Sequence, residues 1–198
     1  MKTDIILAGV GGQGILSIAA TIAMAALDND LYIKQSEVHG MSQRGGAVES
    51  HLRISDKQIA SDLIPVGQAD IIISVEPMEG LRYLTYLSNE GWLITNIKPF
   101  INIPDYPEMD DLNEAIAKIK NHIALDSDKI ALKIKSPRST NIVMLGAASP
   151  FIDIPYKSFE VGIKTIFGNK GEKIVQLNLD ALKAGREFAE EHTPVGSK

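Results

Sequence analysis

Two short stretches hold residues of the right types and spacing to organise a binding site. The first is AGVGGQGIL, Ala8 to Leu16, where Gly9, Gly11 and Gly14 keep the spacing G-x-G-x-x-G, with Gly12 and Gln13 between them. Glycine admits a positive φ and lets a phosphate approach the main chain. The first amides of a helix opening at Gly14 would lack intrahelical partners and favour an anion. A dinucleotide site would add an acidic residue about 20 positions on, for a ribose hydroxyl, and Glu37 stands near that place. The spacing leaves three readings open: a dinucleotide, another phosphate, or a tight turn packed against another chain.

The second stretch is SEVHGMSQRGG, Ser36 to Gly46. Gly45 and Gly46 let the chain turn tightly after Arg44, and a guanidinium so placed can grip a carboxylate or phosphate with two parallel hydrogen bonds. Ser36, Glu37, His39, Ser42, Gln43 and Arg44 crowd polar groups beyond what a plain loop needs. His39 alone reads first as a hydrogen-bonded structural histidine. Other polar residues read as ordinary surface. Asp105, Glu108, Asp110 and Asp111 suit a solvated loop and helix capping, and Glu49, His51 and Arg53 suit a solvated cross-strand network. His122 and His192 show no partner spacing, and Met24, Met41, Met78, Met109 and Met144 read as gap fillers or contact residues.

The elements that must position these stretches follow from periodicity. Asp4 to Ala8 reads as a buried strand, Gly14 to Leu27 as a small-residue helix, and Leu31 to Gln35 as a second strand closing a right-handed β-α-β unit beside the first. Ala47 to Ile54 alternates apolar and polar residues, and Ser55-Asp56-Lys57 reads as the turn of an antiparallel hairpin with Gln58 to Ala60. Ala69 to Val75 suits a central parallel strand, Pro77 to Leu87 a helix with proline in its first turn, and Trp92 to Thr95 another strand. Pro99, Pro104 and Pro107 mark a long surface loop. Beyond it come a helix over Asp110 to Asn121 capped by Asp110 or Asp111, a strand at His122 to Leu125, and a helix at Asp128 to Ile134. Helices near Thr140 to Ala148, Tyr156 to Phe167 and Glu172 to Glu191 follow. The sum is one three-layer α/β/α domain spanning 1–198, with a mostly parallel sheet, an antiparallel hairpin and C-terminal helices.

Composition bounds the chemistry. The chain has 198 residues, 44% of them hydrophobic, which is enough to bury a core. A net charge of -5 without any lysine or arginine run argues against nucleic acid. No stretch reaches the roughly 18 apolar residues of a membrane span, and no cleavable leader pattern opens the chain, so a cytoplasmic location is expected. Cysteine is absent, which removes disulfides, thiolate catalysis and cysteine-ligated iron–sulfur clusters from this chain.

GVGGQG after the first strand, followed by SEVHGMSQRGG after the second, resembles the gamma component of the 2-oxoacid:ferredoxin oxidoreductases. Within that family EVHGM-x-QRGG is similar to the small subunit of the indolepyruvate type, whereas oxoglutarate-type relatives carry a YGPE-x-RGG form. TNIVMLGA, Thr140 to Ala147, and NLDALKAG, Asn178 to Gly185, resemble the family's C-terminal helices.

The resemblance implies a share in oxidative decarboxylation of an aryl-2-oxoacid to an acyl-CoA, with ferredoxin as electron acceptor. Thiamine diphosphate, magnesium and iron–sulfur clusters would sit on a larger alpha subunit, because this chain has no cysteine and no thiamine pattern of GDG with downstream asparagines. The chain would then be inactive alone, within a heteromeric complex that leaves room for homodimerisation. It would offer Gly9, Gly11, Gly12, Gln13, Gly14, Glu37, Arg44, Gly45 and Gly46 to coenzyme A or the substrate carboxylate, with Arg44 as the charged anchor. Two other readings stay open: a purely structural interface built from the same loops, and a free-standing dinucleotide-binding oxidoreductase or binding module.

Overall fold

A computed structural model describes residues 1–39 and 45–193. The first apolar run becomes β1 (Lys2–Val10), buried from Thr3 onward, and the glycine turn delivers it into α1 (Ile15–Leu27). Then follow β2 (Tyr32–His39), β3 (Ala47–Ser55), β4 (Ala69–Ser74), α2 (Pro77–Arg82), β5 (Leu87–Asn96), α3 (Met109–Ala117) and β6 (His122–Leu125). The C-terminal part is helical: α4 (Ser127–Lys133), α5 (Thr140–Ala148), α6 (Tyr156–Phe167) and α7 (Glu172–His192).

The sheet order is β2-β3-β1-β4-β5-β6. β1, β4, β5 and β6 pair in parallel, while β3 is antiparallel to both β1 and β2. Five of the six described strands therefore point the same way, with β3 alone reversed. This corrects two expectations. β2 is parallel to β1 but not beside it, because β3 lies between them along its whole length, from Lys2↔Ser55 to Val10↔Ala47. The hairpin is β2–β3, and residues 58–60 form no strand. Asp56 instead holds the N-terminal amine at 2.6 Å. With strands on both edges, β3 satisfies every backbone donor and acceptor without a Gln58–Ala60 partner.

Alternation in the strands divides the core between two faces. Ile5, Leu7, Ile71, Ile73 and Ile94 meet α1 and the C-terminal helices, whereas Ile6, Ile72 and Leu93 meet Ile64, Leu81 of α2 and Ile116 of α3. The result is the expected three-layer arrangement, heavier on the first face. Each fully buried Ile or Leu contributes about 1.5–3 kcal/mol of transfer free energy. α5 is buried from Asn141 to Ala148, which is why its sequence shows no polar stripe. Among the described residues, no helix is long and apolar enough to cross a membrane.

The limits of α2 and α3 differ from the sequence reading, α3 ending at Ala117 and not at Asn121. α2 ends at Arg82, a 3-10 turn occupies Leu84–Tyr86, and β5 begins at Leu87, because pairing of Leu87 with Ala69 draws that residue into the sheet. α3 starts at Met109 with Glu108 before it, so Asp110 and Asp111 lie in its first turn, where the helix dipole favours them, and neither caps it.

Candidate functional site

The site is built at the C-terminal ends of the parallel strands, where open α/β sheets bind ligands. The turn after β1 is stapled by Gln13: its Oε1 accepts the Val10 amide at 2.8 Å and its Nε2 reaches the Val75 carbonyl at 3.5 Å. Gly12 and Gly14 take φ of +100° and +82°, a left-handed region in which side chains are strained. Gly14 precedes α1 with no side chain capping the helix, so the first amides are left for an anion. The Asn141 amide donates to the Gly14 carbonyl at 3.0 Å and ties α5 to the same turn. Gly9 does something different. It pairs with Val48 in the ladder, and a side chain there would run into Val75.

The second motif reaches this turn through β3. Gly11 donates to the Gly46 carbonyl at 2.8 Å, and Gly45 donates to the Gly11 carbonyl at 3.4 Å. Glu37 stands in β2 opposite Ser50, with β3 between it and β1. Strands lie about 4.8 Å apart, so β2 runs roughly 10 Å from β1, farther than the neighbouring strand that presents the ribose partner in a dinucleotide fold. The two loops are thus neighbours, though the strands preceding them are not. Arg44, together with residues 40–43, lies outside the described residues.

A cavity of about 730 Å³ opens beside the turn, lined by Gly12, Gly14 and Ser17 and by three cations, Lys135, Arg138 and Lys170. This is the size of a small-molecule or cofactor site. Lys135 sits at φ +58°, at the bend between α4 and α5. The Lys170 ammonium lies 5.3 Å from the Phe167 ring centroid. Sequence reasoning missed all three cations, because they come from two separate loops and form no run. The only local signal is KSPRST, Lys135 to Thr140, which places two cations and three hydroxyls at the start of α5.

A buried acidic group sits at the same edge. Glu76 follows β4, is wholly buried, and accepts the Glu79 amide at 2.8 Å as the cap of α2. Its other oxygen accepts the Phe100 amide at 3.3 Å and the Tyr106 hydroxyl. Burial, reinforced by that carboxylate, pushes the Tyr106 hydroxyl well above the ordinary phenol range. Burial also raises Glu79, against the opposing pull of Arg82 at 3.0 Å.

The network around His51 is not solvated as expected. His51 is only 4% exposed, and its Nδ1 accepts the Ile64 amide at 3.0 Å. A backbone amide can only donate, so Nε2 carries the proton of the neutral ring and donates to Glu49 at 2.9 Å. Arg53 grips Asp4 with two hydrogen bonds, at 2.8 and 3.1 Å, and Asp4 is fully buried. The loop over residues 58–68, of which the sequence reading took Gln58 to Ala60 as a hairpin arm, covers this face: the Ser61 and Leu63 carbonyls accept from Arg53 and the Ile64 amide donates to His51.

A family model described as pyruvate ferredoxin/flavodoxin oxidoreductase matches residues 4–188. The chain is 38% identical over 192 residues to indolepyruvate oxidoreductase subunit IorB of Archaeoglobus fulgidus, covering 93% of this chain and 94% of that one. It is 33% identical over 196 residues to the subunit of the same name in Pyrococcus horikoshii, covering 95% and 96%. Among solved structures it is similar to the gamma subunit of a keto/oxoacid ferredoxin oxidoreductase from Geobacter sulfurreducens, with TM-score 0.70, 23% identity, and 96% and 99% of the two chains covered. It is also similar to 2-oxoglutarate:ferredoxin oxidoreductase from Magnetococcus marinus, solved with 2-oxoglutarate, coenzyme A and succinyl-CoA bound, with TM-score 0.75 and 21% identity. That match covers 97% of this chain but only 32% of the other, so the whole domain corresponds to about a third of a longer polypeptide.

Proposed function

The chain belongs to the pyruvate ferredoxin/flavodoxin oxidoreductase family and is a subunit of a 2-oxoacid:ferredoxin oxidoreductase, and on that premise we propose that it forms the coenzyme A-facing wall of an indolepyruvate-type enzyme. The reaction is the oxidative decarboxylation of an aryl-2-oxoacid to its acyl-CoA, with ferredoxin taking the electrons. Thiamine diphosphate with magnesium and the iron–sulfur clusters, which supply decarboxylation and electron transfer, reside on the larger partner subunit. The absence of cysteine from this chain supports that division.

The observation that carries this reading is the cavity joining the uncapped α1 N-terminus at Gly14 to Lys135, Arg138 and Lys170. Coenzyme A presents a diphosphate and a ribose phosphate, and such a ligand needs amides for one group and mobile cations for the other. Gly11, Gly12 and Gly14 let the phosphates reach the main chain, while Gln13 and Gly9 keep the turn in shape. The Gly45–Gly46 segment closes the other side of the turn. Arg44, named from the sequence motif, is the residue assigned to the thioester end of coenzyme A or the substrate carboxylate. Glu37 helps to form the base of that second loop.

The test is co-expression with the larger subunit and an assay of indolepyruvate-dependent ferredoxin reduction. Replacing Arg138 and Lys170 together by alanine should raise the KM for coenzyme A by at least about tenfold with kcat retained, the loss expected for charge-assisted contacts. Arg44→Ala should raise the KM for coenzyme A or for the 2-oxoacid. Tight NAD binding by the isolated chain in calorimetry would instead favour a free-standing dinucleotide enzyme. Loss of assembly before loss of turnover would favour a purely structural role.

A further inference from the structure

The excursion between β5 and α3 departs from the usual behaviour of a surface loop. Residues 97–108 carry Phe100, Ile101 and Ile103 at 43%, 71% and 39% exposure, three large apolar side chains within four residues. Exposed apolar clusters of this kind favour association. Asp105, Glu108, Asp110 and Asp111 border them, all exposed and all negative.

This segment is nevertheless held firmly. Glu76, wholly buried, fixes it at two points by accepting the Phe100 amide and the Tyr106 hydroxyl. Between those points the Asn102 amide donates to the Gly45 carbonyl at 2.7 Å, and Gly45 in turn bonds Gly11. Burying a carboxylate costs free energy unless donors surround it, and here those donors serve to fix an exposed apolar segment in one shape. Rigidity of that kind lowers the entropic cost of binding a partner.

From these observations we infer that the strap over residues 97–108 is the docking surface for the larger subunit, and that the partner meets it with an apolar patch rimmed by lysine or arginine. The inference rests on the proposed function, since it names the partner of that same site. Three features choose the occupant. The acidic rim calls for a basic counterpart and disfavours a second copy of this chain, whose net charge is -5. The strap bonds directly to Gly45, which itself bonds Gly11 of the glycine turn, so a partner seated on it also meets the loops proposed to face coenzyme A. In the Magnetococcus enzyme the corresponding domain is a third of one polypeptide, so a domain of this kind can work against a large neighbour.

The experiment uses the full chain with the co-expressed larger subunit and measures their dissociation constant by sedimentation or surface binding. Ile101→Asp should raise it by at least about tenfold, the loss expected for an interface anchor, with the thermal midpoint of the free chain unchanged. Tyr106→Phe, which loosens one tie and leaves the apolar side chains in place, should weaken association less and mainly through slower association. Wild-type affinity in Ile101→Asp, with assembly and turnover intact, overturns the docking assignment alone. If the free chain dimerises and Ile101→Asp makes it monomeric, a second copy is the occupant and the assignment also falls. Failure of the wild-type chain to assemble or to support turnover removes the subunit reading and this inference with it.

Discussion

The amide of Gly11 donates to the carbonyl of Gly46 at 2.8 Å, one step beyond the Val10↔Ala47 pair that ends the β1–β3 ladder. That single bond carries the ladder into the loops. It brings the two motifs of the sequence together, although β1 and β2 are separated by a whole strand. A β2 lying directly beside β1 would set Glu37 at a ribose, as in a dinucleotide fold. The inserted β3 moves Glu37 outward and places Gly45 and Gly46 against the glycine turn.

Gly12 and Gly14 share a left-handed backbone but differ in surroundings, and their alanine variants should separate those effects. A side chain at Gly12 meets nothing within 4 Å, so Gly12→Ala should cost only the backbone penalty of about 1–2 kcal/mol. At Gly14 the new Cβ would stand 2.6 Å from the Asn141 amide nitrogen, which bonds the Gly14 carbonyl. Gly14→Ala should therefore lose about 1 kcal/mol more, for that hydrogen bond. Urea unfolding of both variants checks the order, and equal losses would remove the role given to Asn141.

Arg53 and Asp4 form a buried pair whose members depend on each other. Asp4 is fully buried and receives two hydrogen bonds from Arg53, with Lys2 at 2.8 Å as its other cation. Arg53→Met should destabilise the fold by about 3 kcal/mol, because it strands a carboxylate that Lys2 alone offsets in part. Asp4→Leu with Arg53→Met should recover most of that loss. Chemical denaturation of Arg53→Met, Asp4→Leu and the double variant decides it, and an additive double variant would argue against coupling.

Much of this architecture is legible from the sequence, for identifiable reasons. The apolar runs and the proline at Pro77 mark β1, β4 and the start of α2, and α5 and α6 fall on the residues their spacing predicts. What sequence cannot carry is pairing. Alternation in Ala47 to Ile54 shows a strand, yet nothing local says that it reverses between β1 and β2. Polar residues at Ser88, Asn89 and Glu90 likewise hide the first half of β5, which the sheet recruits through Ala69. The site divides in the same manner. The glycine turn is a local signal, whereas Lys135, Arg138 and Lys170 meet it only after α4 to α7 have packed. Glu76 reads as an ordinary residue before a proline, and its tie to Tyr106 spans 30 positions.

Helix packing sets a further test at Gly185. A side chain there would overlap the Val143 carbonyl oxygen and stand 2.9 Å from the Ala147 nitrogen, both backbone atoms of the buried α5. α5 has no room to retreat, since the sheet lies behind it. Gly185→Ala should cost about 3 kcal/mol or more, well beyond the roughly 1 kcal/mol of helix propensity it gains. For a chain of this size the thermal midpoint should fall by about 6 °C or more. Gly168→Ala is the control, because nothing lies within 4 Å of the added carbon. A midpoint for Gly185→Ala within a degree or so of the control would show that the two helices separate freely.

Tyr156 supplies the pH dependence. Burial, followed by the carboxylates of Glu160, Glu187 and Glu190, pushes its hydroxyl up to about 12, with Arg186 pulling the other way from 4.8 Å over the ring. In the unfolded chain a tyrosine ionises near about 10. Between those values the folded protein holds the proton and the unfolded chain releases it, so stability declines as pH rises. The stability linked to the neutral hydroxyl is therefore complete below about pH 10 and lost by about pH 12. Tyr156→Phe removes the ionisable group, and its urea midpoint should fall less steeply than wild type over that window. Tyr106, raised for the same physical reason, keeps the variant's curve from becoming flat. Parallel curves for wild type and Tyr156→Phe would mean that the ring is hydrated in solution and that its hydroxyl ionises alike in both states.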